Sequence, residues 1–131
     1  MKRKQKSLPK LKAECQLLMN EYVRLRDADL PCITCGKFKP YKQAGHYYSV
    51  KGYDGLRYNE FNVNGECPGC NGFDDSHLIL YGDNLLERIG KANFEGLKAD
   101  AAQYKRIGYK FTKSEILELM EELKNKINKL K

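Results

Sequence analysis

Two Cys-x-x-Cys pairs, Cys32-Ile33-Thr34-Cys35 and Cys67-Pro68-Gly69-Cys70, are the residues in this sequence most clearly spaced for chemistry. Two intervening residues let both thiolates of a pair reach one tetrahedral ion at about 2.3 Å, and four cysteines close the coordination shell of a zinc ion. An ion so enclosed has no open position for a substrate, so its expected role is structural. Gly36 and Gly69 support this geometry by permitting the tight backbone that aims amide groups at sulfur. Free thiols or a redox pair would leave unexplained why two such pairs bracket a single 31-residue insert. The fifth cysteine, Cys15, lies on an apolar helical stripe and reads as a core filler rather than a reactive thiol.

Between the pairs lies Gln43-Ala44-Gly45-His46-Tyr47, and His46 is one of only two histidines. Its type alone leaves three readings open: a hydrogen-bonded core residue, an alternative zinc ligand, or a proton acceptor titrating near neutrality. Tyr47, Tyr48, Lys51, Arg57 and Tyr58 stand close by. Such cations neutralise phosphates, and such tyrosines pack on sugars or exposed bases. Contacts of this kind carry little base information, so binding is expected to follow DNA shape and to weaken with salt. The plainer reading is a Tyr-rich hairpin with about half of these side chains facing inward.

The 131 residues fit one domain, and 24 basic against 17 acidic side chains leave a net charge of +7, which favours a polyanionic partner. With 41% hydrophobic residues, 31% charged and no Trp, the chain has a small core that a metal would assist. No apolar run approaches the roughly 18 residues of a membrane span, so a cytoplasmic protein without membrane association is expected. Residues 2–12 carry six Lys or Arg and no acid, which reads as a disordered basic arm over 1–12 ahead of a single domain over 13–131.

The elements that must position these residues follow from periodicity. Leu11, Cys15, Leu18, Tyr22 and Leu25 line one face of a helix ending near Asp27, before Pro31. Extended runs at 46–50 and 56–63, joined through Gly52-Tyr53-Asp54-Gly55, predict a β-hairpin. Helices are expected over 71–81, 83–90 and 93–106. Thr112 followed by Glu115 is a capping-box signature opening a helix that runs almost to Lys131, with Ile116, Met120, Leu123, Ile127 and Leu130 on one seam. The terminal seams either pair with each other or one of them builds a homodimer.

Read from Cys32 and Cys35 through Ala44-Gly45-His46-Tyr47, Leu56-Arg57-Tyr58-Asn59, Asn62, Cys67 and Cys70-Asn71 to Arg88-Ile89-Gly90, the chain resembles the phage Rap/NinG recombination endonuclease family. The resemblance covers about residues 30–92 and, more loosely, the helical tail over about 93–131. That family is in turn similar to the His-Me finger, or HNH, nucleases related to phage endonuclease VII. The implied fold is α+β, a zinc-braced ββα-metal core with flanking N- and C-terminal helices. The implied activity is a structure-selective, metal-dependent endonuclease hydrolysing phosphodiester bonds in branched recombination intermediates, Holliday junctions or D-loops. It would be phage or prophage encoded and would work in the cytoplasm of a bacterial host.

The same resemblance makes His46 the general base that activates water. It makes Asn71 a ligand of a catalytic magnesium or manganese ion, and Asn62 the middle Asn that braces the hairpin loop and orients His46. Two departures stand out. Such nucleases commonly carry an acid directly before the His, where this chain has Gly45, and relatives tend to show Asp-Ala-Gly-His, where this chain has Gln43. On a continuous helix Asp75 would share the face of Asn71 and reach the same ion, and His77 is a second option. The plainer reading leaves Asp74 and Asp75 as solvated turn residues and His77 on the surface. The departures also motivate an alternative function, a non-catalytic zinc-dependent DNA-binding module. A sequence-specific restriction-type nuclease would need an added recognition domain, for which 131 residues leave little room.

Overall fold

The computed structural model describes residues 5–72 and 77–131. Ser7 caps the first helix, its hydroxyl accepting from Lys10 N, and Pro9 sits in the first turn, where a missing N–H costs nothing. Helix α1 therefore begins at Leu8 and runs Leu8–Arg26, so Leu8 to Lys12 are helical rather than part of the expected disordered arm. Its buried stripe is Leu11, Cys15, Met19 and Val23, with Leu18 and Tyr22 packed at the edge. Burial pushes the Cys15 thiol up to about 11, consistent with a core filler.

Strand β1, Gln43–His46, pairs antiparallel with β2, Val63–Glu66, in the register Gln43 to Glu66, Ala44 to Gly65, Gly45 to Asn64 and His46 to Val63. The hairpin is real, but its strands overlap the expected runs only at His46 and Val63. Residues 47–62 form a long connection holding one 3-10 turn, Asp54–Leu56. The β-prone tyrosines of this segment pack sideways instead. Tyr47 lies 5.3 Å from Tyr81 and 6.0 Å from Phe94, centroid to centroid, and Tyr48 meets Tyr53 edge-on at 4.9 Å.

After β2 come the short helix α2, Pro68–Asn71, then α3, His77–Ile89, α4, Lys91–Ile107, and α5, Lys113–Leu130. The expected break near residue 82 does not occur. Gly82 sits inside α3 because a Cβ there would lie 2.7 Å from the Tyr47 hydroxyl, so the glycine admits the ring. The turn from α3 into α4 passes through Gly90 at φ 86, a left-handed conformation suited to glycine. Helix α5 opens with the expected capping box, Thr112 and Glu115 each bonding the other's backbone N–H.

The sheet has helices on both faces. Toward α1 and α5, Val63 and Ala44 join Leu11, Cys15, Met19, Val23, Tyr58, Ile116, Met120 and Leu123 in the larger core. The two terminal seams thus cover each other within one chain, although Leu130 is exposed. Toward α3 and α4, Ile33, Leu56, Tyr81, Leu85, Leu97 and Ala101 form a second core. The buried Asp27 carboxylate fastens the two halves. It accepts from Arg26 Nε at 2.7 Å and from Gly65 N at 2.8 Å, and Arg26 Nη2 also donates to Val63 O. The architecture is α+β, and among the described residues no helix is long and apolar enough to cross a membrane.

Candidate metal centre and hairpin site

The four Sγ atoms of Cys32, Cys35, Cys67 and Cys70 lie within 4.8 Å of one another. Each pair is shaped by its own backbone. Gly36, at φ 73, donates its N–H to Cys32 O, Cys32 N donates to Lys37 O, and Cys70 and Asn71 both donate to Cys67 O. Cys67 N also donates to Cys32 Sγ at 3.3 Å. Burial alone would raise the Cys32 thiol, but amide N–H groups of Cys67, Cys35 and Thr34 outweigh it and bring it down to about 7. Burial and neighbouring sulfurs push Cys35 and Cys70 upward. Four sulfurs so close, one with its thiol drawn down from the ordinary cysteine range by amide N–H groups, form a donor set that could hold a structural zinc ion.

Strand alternation divides the other expected site residues. Gln43, Gly45, Asn64 and Glu66 face the second cysteine pair and α3, whereas Ala44, His46 and Val63 face α1. His46 and Asn71, expected at one point, therefore lie on opposite faces of the hairpin. His46 ends β1, with Nε2 3.0 Å from Arg57 O. A carbonyl only accepts, so Nε2 carries the proton and Nδ1 keeps its lone pair. Burial lowers the His46 pKa, and the Arg57 cation adds to this against the opposing pull of the Arg57 carbonyl.

Asn62 is fully buried and bonded throughout. Its Oδ1 accepts from Tyr48 N at 2.8 Å, its Nδ2 donates to Tyr48 O and Leu56 O, and its own carbonyl accepts from Tyr47 N. It ties both ends of the 47–62 connection to the end of β1.

Asn71 closes α2, its Nδ2 donating to Gln43 Oε1 at 2.9 Å. Its Oδ1 turns toward Gly45, where a Cβ would lie 3.1 Å from that oxygen and 2.3 Å from Glu66 Oε1. Glu66 has no exposed surface. Its Oε2 accepts from Thr34 Oγ1 and lies 2.7 Å from His77 Nδ1, while its Oε1 has no hydrogen-bond partner among the described residues. His77 thus meets the site through Glu66, as a half-buried residue opening α3 rather than a surface one. Asp74 and Asp75 lie outside the described residues. Sequence reasoning missed Glu66 and Thr34. The available signal was the place of Glu66, a strand acid directly ahead of a cysteine ligand, but its meaning depends on cross-strand register.

The proposed DNA-contacting residues separate too. Tyr58 belongs to the larger core, its hydroxyl donating to Lys12 O at 2.8 Å, so it offers no face to a nucleic acid. Tyr47 and Tyr48 are half-buried in the second core. Arg57 donates to Gln16 Oε1 at 2.8 Å. Lys51 is exposed and borders a groove of about 390 Å³ that Lys12, Lys105 and Lys110 also line.

The chain is 33% identical over 119 residues to Protein ninG of Salmonella phage P22, covering 90% of this chain and 56% of that protein. It is 34% identical over 88 residues to Protein ninG of Escherichia phage lambda, covering 66% of this chain and 43% of that protein. The chain therefore spans about half the length of these curated relatives. No solved structure matches it. The sequence model described as Bacteriophage Lambda NinG protein matches residues 1–131, taking in both cysteine pairs, the hairpin and all the flanking helices, and the chain belongs to that family.

Proposed function

We propose that this protein is a structure-selective, metal-dependent DNA endonuclease acting on branched recombination intermediates, with a His-Me finger core built from β1, β2 and the helical segment after Cys67. One observation carries the reading. Gly45 and His46 are consecutive, the first facing two side-chain oxygens and the second presenting an unprotonated Nδ1 whose tautomer Arg57 O fixes. A phosphodiester wrapped around the end of β1 would meet the base from one face and the oxygen-lined cradle from the other, the two carried by adjacent residues whose Cα atoms are about 3.8 Å apart.

In this reading His46 Nδ1 accepts the proton of the attacking water. Asn62 holds Tyr47 and Tyr48 so that the connection carrying Arg57 O stays aligned with the ring. Asn71, with hard oxygen chemistry at Oδ1, would hold magnesium or manganese beside Gly45, while His77 engages Glu66 Oε2. Such an ion, when bound, supplies Lewis-acid stabilisation of the phosphate charge. Lys51 and the lysines of the neighbouring groove would hold the backbone of a DNA arm, with Tyr53, Tyr104 and Tyr109 along the same groove.

The amide pair Asn71–Gln43 favours a second reading, a zinc-dependent DNA-binding module without catalysis, because neither side chain is anionic. Zinc-loaded protein incubated with a labelled four-way junction and a matching duplex, with and without magnesium, separates the two. Magnesium-dependent nicking of the junction, lost in His46→Ala, supports the nuclease. Binding with no cleavage under magnesium or manganese supports the module, and equal cutting of plain duplex rules out structure selectivity.

A further inference from the structure

We propose that Glu66 supplies the anionic ligand of a divalent-cation site over Gly45, jointly with Asn71 Oδ1. The inference rests on the nuclease reading, whose ion it provides with the acid missing from positions 43 and 45.

A carboxylate with no exposed surface must be paired, hydrogen-bonded or metal-bound. Glu66 is half provided for. Thr34 and His77 both engage Oε2, whereas Oε1 is buried without a partner among the described residues. Among the described residues no Lys or Arg pairs with it, and His77 is the one basic side chain in contact. Two hydrogen bonds on one oxygen with the other left open is how an orienting shell presents a carboxylate to a cation.

The open oxygen is aimed at a particular place. A Cβ on Gly45 would lie 2.3 Å from Glu66 Oε1, so any side chain at position 45 would collide with this carboxylate. Asn71 Oδ1 faces the same point from α2. Gly45 leaves a cradle bordered by one carboxylate oxygen and one amide oxygen, hard donors suited to magnesium or manganese rather than to zinc. Gln43 and Asn71, both half-buried, form its outer side. The register makes Gln43 the direct cross-strand partner of Glu66 on this face, so a carboxylate moved from 66 to 43 would border the same space.

The test is manganese titration of the zinc-loaded full chain, read by the electron paramagnetic resonance of free Mn²⁺ with zinc content assayed in parallel. The expected result is one Mn²⁺ per chain in addition to zinc, and at least about tenfold weaker binding in Glu66→Gln. That variant keeps an oxygen for Thr34. Gln43→Asp in the Glu66→Gln background should recover part of the loss. Gly45→Ala, which puts a methyl into the cradle, should weaken Mn²⁺ binding independently, and it decides the question if Glu66→Gln loses zinc. Wild-type protein that binds no Mn²⁺ beyond the cysteine site, or unchanged affinity in the variants, overturns the inference. Glu66-dependent Mn²⁺ binding without junction cleavage would remove the nuclease reading and leave this site standing. Cleavage with unchanged Mn²⁺ affinity in Glu66→Gln would do the reverse.

Discussion

Thr34 Oγ1 donates to Glu66 Oε2, joining the middle of the first cysteine pair to the strand residue just before the second. Loss of zinc is therefore expected to release Glu66 together with both loops. Apparent binding energies of roughly 10–16 kcal/mol for structural zinc match or exceed the net stability of roughly 5–15 kcal/mol typical of a domain. Cys67→Ser, or a strong chelator, should unfold at least the second core. Metal analysis of the native protein should return one zinc per chain, and near-UV circular dichroism should collapse as zinc leaves. A tertiary signal that survives full removal of zinc would contradict this.

His46→Ala should lower junction cleavage by about 10²- to 10⁴-fold while leaving junction affinity nearly unchanged, as removal of a general base does. The pH profile follows from burial, which holds the folded pKa below the ordinary 6.5. Cleavage should be flat at neutral pH and fall only on the acid side of that value. Stability has the same sign. The unfolded chain takes up the proton first, so the His46 contribution is fully present above about 6.5 and is lost as pH falls through the folded value. Urea midpoints of wild type and His46→Gln measured from pH 7.5 down to 5 should converge toward the acid end.

Asn62→Ala removes the partners of Tyr48 N, Tyr48 O and Leu56 O from a fully buried position. An unsatisfied buried group costs about 1–3 kcal/mol, and water can reach only part of the gap, so a loss of about 2–4 kcal/mol is expected. Denaturant melts measure it. An Asn62→Ala protein as stable as wild type would show that the connection is held elsewhere.

Lys51→Glu and Lys105→Glu, on the groove that Lys12 and Lys110 also line, should weaken binding to every DNA sequence alike. Each lost phosphate contact should reduce the slope of log affinity against log salt by about 1. Tyr58→Phe serves as the control. It loses the bond to Lys12 O and about 1 kcal/mol of stability, with no change in the salt slope.

Where a signal was local, the sequence could be read directly. The Thr112–Glu115 box needs only four residues, and each cysteine pair needs only its own spacing. The strands were misplaced because the tyrosines at 47, 48 and 53 satisfy β propensity equally well while packing against α3 and α4. What keeps residues 47–62 out of the sheet is Asn62, which acts across 14 residues and leaves no periodic trace. Gly82 resembled a helix break because the Tyr47 ring that requires it belongs to another element. Glu66 was legible only as an acid beside a cysteine, since its oxygens acquire meaning from Thr34, Gly45, Asn71 and His77, each brought in by a different segment.

The larger core draws Leu11 to Val23 from α1 and Ile116 to Leu123 from α5, about as far apart as the chain allows. During synthesis α1 emerges from the ribosome with its apolar stripe bare and waits for roughly a hundred more residues before its cover arrives. The cysteine loops and hairpin are complete well before then, so metal capture can precede closure of this core. A ribosome stalled ahead of residue 113 would hold the paired cysteine loops and hairpin beside an open, sticky helix, a species for chaperones to shield.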